Sequence, residues 1–277
     1  MQIWQADFYR RPLQNERGER LWELAICDRA GDFRFSDRCV QSEAKVSWLV
    51  DRLHKASAGH PPAAIEVFRP QSLSLIQEAG KQLGVPVIPT RRTQSLKQWL
   101  LQKSQEYANE PNYTHETYDP LAVDRPPPIP LPEELWGDRW RFARVSAGYL
   151  LDVFGDRPIP IRSIPESLNP FNLGLASTVA IPGAVVDGGR QSMRLARWLE
   201  AVQPVALNYI PGAPDGLILE AGLSDRWVLA TFEDKEVAAA GLNFQQHKQL
   251  CKGLHFLLVQ PDDSGQTYTG FWLLQNA

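Results

Sequence analysis

No apolar run in this chain comes near the roughly 20 residues that a bilayer-spanning helix requires, so no membrane span is expected. Cysteine is scarce as well: Cys27, Cys39 and Cys251 are an odd number with no CxxC spacing, which argues against disulfides and for reduced thiols in a reducing compartment. The opening stretch MQIWQADFYRRPL has neither the basic start and apolar run of a signal peptide nor the Ser/Arg-rich composition of a transit segment, so a cytoplasmic location is expected. There is no Walker A loop, GxGxxG, HExxH or GxSxG, and no RNP or GxxG signature, so neither the commoner catalytic motifs nor the common RNA-binding modules are announced. A net charge of -3 gives no hint of a polyanionic partner by itself. What remains is an ordinary globular composition, 43% hydrophobic and 22% charged, in a chain of 277 residues that is long enough for two domains.

The charge is divided unevenly. Residues 1–110 hold 16 Lys+Arg against 13 Asp+Glu, and residues 111–277 hold 13 against 19, so a polyanion should prefer the first part. Residues 106–134 lose apolar periodicity and gather Pro126, Pro127, Pro128, Pro130 and Pro132, a composition that favours a semi-rigid polyproline II spacer. We therefore expect a first domain at 1–110, a linker at 111–134 and a second domain at 135–277.

In the first domain, IWQADFYRRPL, RLWELAICD and DFRFSDRC read as three antiparallel strands, the first two joined through Asn15 to Gly18. Val46, Leu49, Val50 and Leu53 recur at helical spacing, with Ser42 as the expected cap; AAIEVFRP is a strand, QSLSLIQEAGKQLG a helix stopped by Gly84, and VPVIP another strand before a third helix. Three strands, helix, strand, helix, strand, helix is the order of the ribonuclease H-like fold. Active members of that fold clamp two metals with carboxylates on the first strand, the first helix and the tip of the fourth strand. Asp7 and Glu43 meet the first two requirements, but the fourth strand ends in Phe68, Arg69 and Pro70, so a fold without a working metal centre is expected, with Asp7 and Glu43 as surface or rim charges. In the second domain DRWRFARVS and GLASTVAIPG read as strands and GRQSMRLARWLEAV as a helix. Three strands follow within 205–232, then a helix over 235–252 and a closing hairpin that turns at Asp262 to Gly265. The fold class is α+β in two domains.

Between Ala79 and Gln105 there is no acidic residue, while Lys81, Arg91, Arg92, Lys97 and Lys103 are positive. The Ser-x-x-Gln of SLKQ predicts a capping box that starts a helix at Ser95, with Arg91 and Arg92 just before it. A helix start prefers anions, so cations there call for a negative partner: a phosphate, or an acidic side chain of the second domain. Arg10, Arg11 and Arg69, at the ends of the first and fourth strands, are further candidates for the same basic patch. Trp4, Trp22, Trp48 and Trp99 read as core, and no exposed aromatic for base stacking is identified. Pro214, Asp215, Glu233, Asp234 and Lys235 spell a PD...ExK pattern, but as turn residues at opposite element ends. His247, Cys251 and His255 are spaced by four, with Gly253 expected to break the helix between the last two. No cofactor is expected.

The segments IWQADFYRRPL, LWELAICD, VFRPQ, LGVPVIPTRRTQSLKQWL, LPEELWGDRW, GLHFLLVQ and GFWLL resemble a family of chloroplast RNA-binding proteins, with cyanobacterial relatives, that activate translation of the PsaB subunit of photosystem I. The resemblance spans nearly the full chain. It implies a non-catalytic RNA-binding factor supporting synthesis of photosystem I subunits, with messenger RNA as partner; the lack of a transit segment suggests a cyanobacterial member. The family supplies no set of RNA contacts, so Arg91, Arg92, Lys97, Arg69, Arg10 and Arg11 rest on electrostatics alone. Two other readings remain open: a metal-dependent nuclease using Asp7 and Glu43 or Asp215 and Glu233, and an assembly scaffold whose basic patch docks an acidic protein.

Overall fold

The first strand, β1 (Ile3–Gln14), alternates between two unlike faces. Trp4, Ala6 and Phe8 enter an apolar core, whereas Gln5, Asp7 and Arg11 are equally buried but polar. β1 pairs antiparallel with β2 (Arg20–Asp28), and β2 with β3 (Arg34–Val40). After α1 (Val46–Ser57), β4 (Ala64–Val67) joins β1 in parallel; after α2 (Pro70–Leu83), β5 (Val87–Pro89) joins β4; α3 (Gln94–Tyr107) follows. The resulting sheet has the order β3-β2-β1-β4-β5. Gly84 ends α2 in the left-handed region, as its position requires.

These elements form the first of two compact units, 1–124 and 125–277, in a computed structural model that describes residues 2–155 and 157–276. The second unit runs through β6 (Ile129–Pro130), β7 (Arg139–Ser146), α4 (Ala147–Gly155), β8 (Ile161–Ser163), β9 (Ala180–Asp187), α5 (Ser192–Val202), β10 (Pro204–Ile210), β11 (Asp215–Ala221), β12 (Asp225–Phe232), α6 (Lys235–Leu250), β13 (Leu254–Gln260) and β14 (Gly270–Gln275). Its strands form two sheets, β10-β11-β12-β6 and β7-β9-β13-β14-β8. The five-stranded sheet is covered on both faces. Ala184, Val186, Leu257 and Val259 join the core containing α5, β10 and β11, while Val185, Phe256, Leu258 and Phe271 pack with α4. Double coverage accounts for LHFLLVQ and GFWLL, which are apolar almost without interruption because neither face meets water. Each fully buried Leu or Phe there stabilises the fold by about 1.5–3 kcal/mol.

Several sequence expectations need correction. The stretch 111–134 is not a free spacer. Tyr113 bridges to Leu13, Tyr118 and Pro120 bond to arginines of the first unit, and Ile129–Pro130 pairs with β12 while Leu131 and Leu135 enter the second core. The strand expected in GLASTVAIPG lies further along, from Ala180, and α4 and β8 had no counterpart in the sequence reading. Neither expected side-chain cap forms. Ser42 lies in a 3-10 turn before α1, and α3 starts at Gln94 with no side-chain bond from its N-cap, Thr93.

Candidate nucleic-acid interface

The start of α3 is held from outside the helix. Gln5 on β1 accepts from the Leu96 N–H at 3.0 Å through Oε1, and its Nε2 donates to Glu66 at 3.2 Å and to the Arg92 carbonyl at 3.4 Å. A buried strand side chain thus does the capping that local sequence assigned to Ser95. Ser95 instead donates to the Arg29 carbonyl at 2.5 Å, fixing the β2–β3 turn against the helix start. Arg29, 59% exposed, forms a fork on Glu66 through both Nη2 and Nε.

The positive run from Lys81 to Lys103 is dispersed by the fold. Lys81 is exposed in the last turn of α2, where the helix dipole favours a cation. Arg91 is buried, and its carbonyl accepts from Lys97 Nζ at 2.8 Å; Lys97 also lies 5.6 Å over the Phe68 ring. Lys103 is buried against Glu23 at 3.1 Å. Arg92 is exposed beside the first turn of α3, and no carboxylate pairs with its guanidinium among the described residues. Neighbouring atoms that displace water lower its pKa from the ordinary arginine value, with nothing acidic to counter them.

Besides Arg91, two more of the candidate RNA contacts are internal. Arg69 donates to Asp7 Oδ1 at 2.7 Å and to the Pro120 carbonyl at 2.7 Å, it also bonds the Ala122 carbonyl, and its guanidinium lies 4.2 Å from the Tyr9 ring centroid. Arg11 donates to Asp7 at 3.0 Å, Glu23 at 3.2 Å and the Tyr118 hydroxyl at 3.0 Å. Both side chains are sealed from solvent, so neither meets a phosphate at the surface. Burial works against the Arg11 charge, but Asp7, Tyr118, Tyr107 and Glu23 outweigh it and raise its pKa. Burial likewise pushes Glu23 up, yet Arg11, Lys103, Tyr107 and Arg38 together hold it below the ordinary glutamate value. Arg10, by contrast, is exposed, with its guanidinium 5.7 Å from the Tyr9 ring centroid.

The same network corrects the reading of Asp7 as a rim charge. It is fully buried and shared by two arginines, and Arg69 follows the end of β4, the position at which the sequence reading looked for a third carboxylate. Glu43 is exposed in the turn before α1. In the second unit Asp215 accepts from the Gly212 N–H at 2.8 Å and the Tyr209 hydroxyl at 3.1 Å, and Asp234 caps α6. His255 is buried: Nδ1 bonds the Gly253 carbonyl at 2.8 Å and Nε2 accepts from the Leu207 N–H at 2.8 Å, while His247 bonds Asn243 and Arg144. No group of three or more His, Cys, Asp or Glu could hold a metal ion among the described residues.

Sequence reading missed Arg29, Gln5 and Glu66, which belong to three elements and meet only through the sheet. It also missed an exposed aromatic. Trp136 is 57% exposed, just past the stretch that had been set aside as linker. The one available signal was a tryptophan amid Pro and Glu rather than in an apolar periodic run.

Fold and site together describe a two-unit α+β protein with a cationic helix start braced by a buried glutamine and glutamate. The chain belongs to the Tab2/Atab2 family of RNA-binding proteins: residues 3–103 match the family's N-terminal domain and residues 118–275 its C-terminal domain. It is 31% identical over 288 residues to "Protein TAB2 homolog, chloroplastic" of Zea mays, covering 98% of this chain and 70% of that protein. The protein of the same name from Arabidopsis thaliana is 27% identical over 277 residues, covering 98% of this chain and 74% of the relative. Among solved structures, the HTLV-2 integrase catalytic core domain with magnesium matches at a TM-score of 0.27 and 17% identity, over 39% of this chain and 75% of that one, a likeness too slight to bear on fold or function.

Proposed function

We propose that this protein is a non-catalytic RNA-binding factor that supports synthesis of photosystem I subunits, and that messenger RNA reaches it at the start of α3. The observation that carries the site is Arg92, an exposed residue whose partly desolvated guanidinium has no carboxylate partner among the described residues, placed at a helix N-terminus where backbone N–H groups favour anions. Lys97 and Arg10 are the further proposed phosphate contacts, and Arg91 supports the helix start through its carbonyl bond to Lys97. The strand order of the first unit supports a ribonuclease H-like assignment, and the engagement of Asp7 by Arg11 and Arg69 supports binding without cleavage. Three free, buried cysteines agree with the cytoplasmic setting we propose.

The test is fluorescence anisotropy of a labelled single-stranded RNA across a salt series, with wild type, Arg92→Ala and Arg92→Ala/Lys97→Ala, followed by inspection of the RNA after incubation in Mg²⁺. Phosphate contacts make log affinity fall linearly with log salt, and each contact removed should lower that slope by about 0.7 for a single strand. A slope unchanged by Arg92→Ala would move the site elsewhere. Shortened RNA would restore the nuclease reading, and no binding at low salt would favour a protein-docking role.

A further inference from the structure

We infer that the second unit carries a base-stacking pocket for single-stranded RNA at Trp136; this rests on the RNA-binding reading above and adds to it a site remote in sequence from Arg92. Trp136 stands at a cavity of about 480 Å³, within the size range of about 300–1,000 Å³ typical of small-ligand pockets. The walls come from the proline-rich strap, from Leu195 of α5, and from Val228 to Thr231 of β12; Arg139 and Thr231 are the polar exceptions in a lining otherwise of apolar side chains and glycine.

The strap is built to stay in place. Ile129 and Pro130 pair with Trp227 and Val228, the Leu131 N–H donates to the Val228 carbonyl at 3.3 Å, and the Trp136 N–H to the Glu133 carbonyl at 3.1 Å. Gly137 then lets the chain turn close to β9: a Cβ there would lie 2.6 Å from Val186 Cγ1 and 2.9 Å from the Asp187 carbonyl oxygen. The Trp136 indole N–H donates to the Leu131 carbonyl at 3.0 Å. That bond tethers one edge of the ring while more than half of the residue stays exposed to water. A large aromatic held exposed beside an apolar cavity is costly unless something covers it.

The surroundings favour a nucleotide as the cover. Arg139 is at the cavity, and α5, which contributes Leu195 to it, carries exposed Arg194 and Arg197, with exposed Arg190 just before the helix. Arg139 lies 2.9 Å from Asp263 and 3.8 Å from Asp187, and Arg194 is 3.6 Å from Glu134. Surface pairs of that kind hold weakly, so a phosphate can compete for the guanidinium. Arg190 and Arg197 form no ion pair among the described residues. An apolar plane beside cations is the pairing that binds a base and its phosphate together, and stacking on an aromatic face tolerates any base. With few polar groups in the lining, the pocket should show little sequence preference.

The experiment compares wild type, Trp136→Ala and Trp136→Phe in the full chain, binding a short labelled oligouridine and an abasic strand with the same phosphates. A base stacked on a tryptophan is worth about tenfold or more in affinity. Trp136→Ala should lose about that factor on oligouridine while Trp136→Phe keeps most of it, and the abasic strand should bind all three alike. If wild type binds RNA but Trp136→Ala, folded by circular dichroism, binds it equally well, the pocket inference falls and the RNA reading stands. If wild type binds no single-stranded RNA even at low salt, both fall together. A second readout does not depend on the variant folding. Cross-linking of a 4-thiouridine strand to wild type, mapped by mass spectrometry, should mark the peptide containing Trp136, and marks confined to other peptides would overturn the assignment.

Discussion

Arg69 Nε donates to Asp7 Oδ1 at 2.7 Å, and neither side chain has any exposure to solvent. A carboxylate buried at the centre of a sheet is tolerable only when paired and bonded, and here Arg11 and Arg69 divide the task. Removing one partner leaves a buried charge uncompensated. Arg69→Ala should therefore destabilise the first unit by about 3–5 kcal/mol, read as a fall in the urea midpoint of that unit's transition. A loss below 1 kcal/mol would mean that Arg11 alone neutralises Asp7.

Glu23 gives the network an acid limit. Its pKa is held below the ordinary glutamate value by Arg11, Lys103, Tyr107 and Arg38 in spite of burial, so the folded state binds fewer protons than the unfolded one as pH falls. The stabilisation is present in full above the ordinary value of about 4.5 and is lost as pH falls through the folded one. Glu23→Gln should be less stable than wild type at neutral pH and lose less stability between pH 5 and pH 3, which a denaturant series at each pH will show.

Gln5→Ala should loosen the start of α3 without unfolding the sheet. The Leu96 N–H loses its acceptor and Glu66 one donor, a cost of about 1–2 kcal/mol for a lost cap. Amide exchange at Leu96 should quicken, and RNA affinity should fall because Arg92 is held through the same glutamine. Protection unchanged at Leu96 would show that the cap contributes nothing to the helix start.

His255 and Lys248 make the second unit sensitive to pH in one direction. Burial, with Lys248 nearby, lowers the His255 pKa to about 3, so stability should decline as pH falls below about 6.5, where the unfolded imidazole takes a proton and the folded one does not. Burial lowers Lys248 to about 7, so stability should rise from pH 7 towards pH 10, as the unfolded lysine gives up a proton that the folded one has already lost. Lys248 Nζ bonds the Leu207 carbonyl and Asn208 Oδ1, and His255 takes the Leu207 N–H, so these two side chains complete the outer edge of β10. Lys248→Met should flatten the rise above pH 7 while lowering stability throughout.

Gly183→Ala should be severe. A Cβ there would lie 2.5 Å from the Phe256 ring, in the doubly covered sheet where neither β9 nor β13 can give way. We expect a loss of about 1–3 kcal/mol from overpacking, measured as a lowered unfolding midpoint of the second unit, with partial rescue by Phe256→Leu.

Much of the architecture was legible because it is written locally. The β-prone residues of IWQADFYRRPL and RLWELAICD set two strands whatever the rest of the chain does, and the spacing of Leu49 and Leu53 sets a helix. Gly84 stops α2 by its own backbone freedom, and the apolar runs near the end foretell buried strands. The difference in charge between the two halves needs only counting. Which arginines face solvent is another matter. Arg69 meets Asp7 across 62 residues, and Gln5 caps a helix 91 residues away. Arg91 and Arg92 are adjacent in sequence, yet one is buried and the other exposed. Ile129 and Pro130 left the linker reading once β6 found β12, and Trp136 a few residues on stands exposed. Sequence fixes what each segment prefers by itself; burial, pairing and exposure depend on which distant groups packing brings within about 3 Å, and those were decided by the tertiary structure.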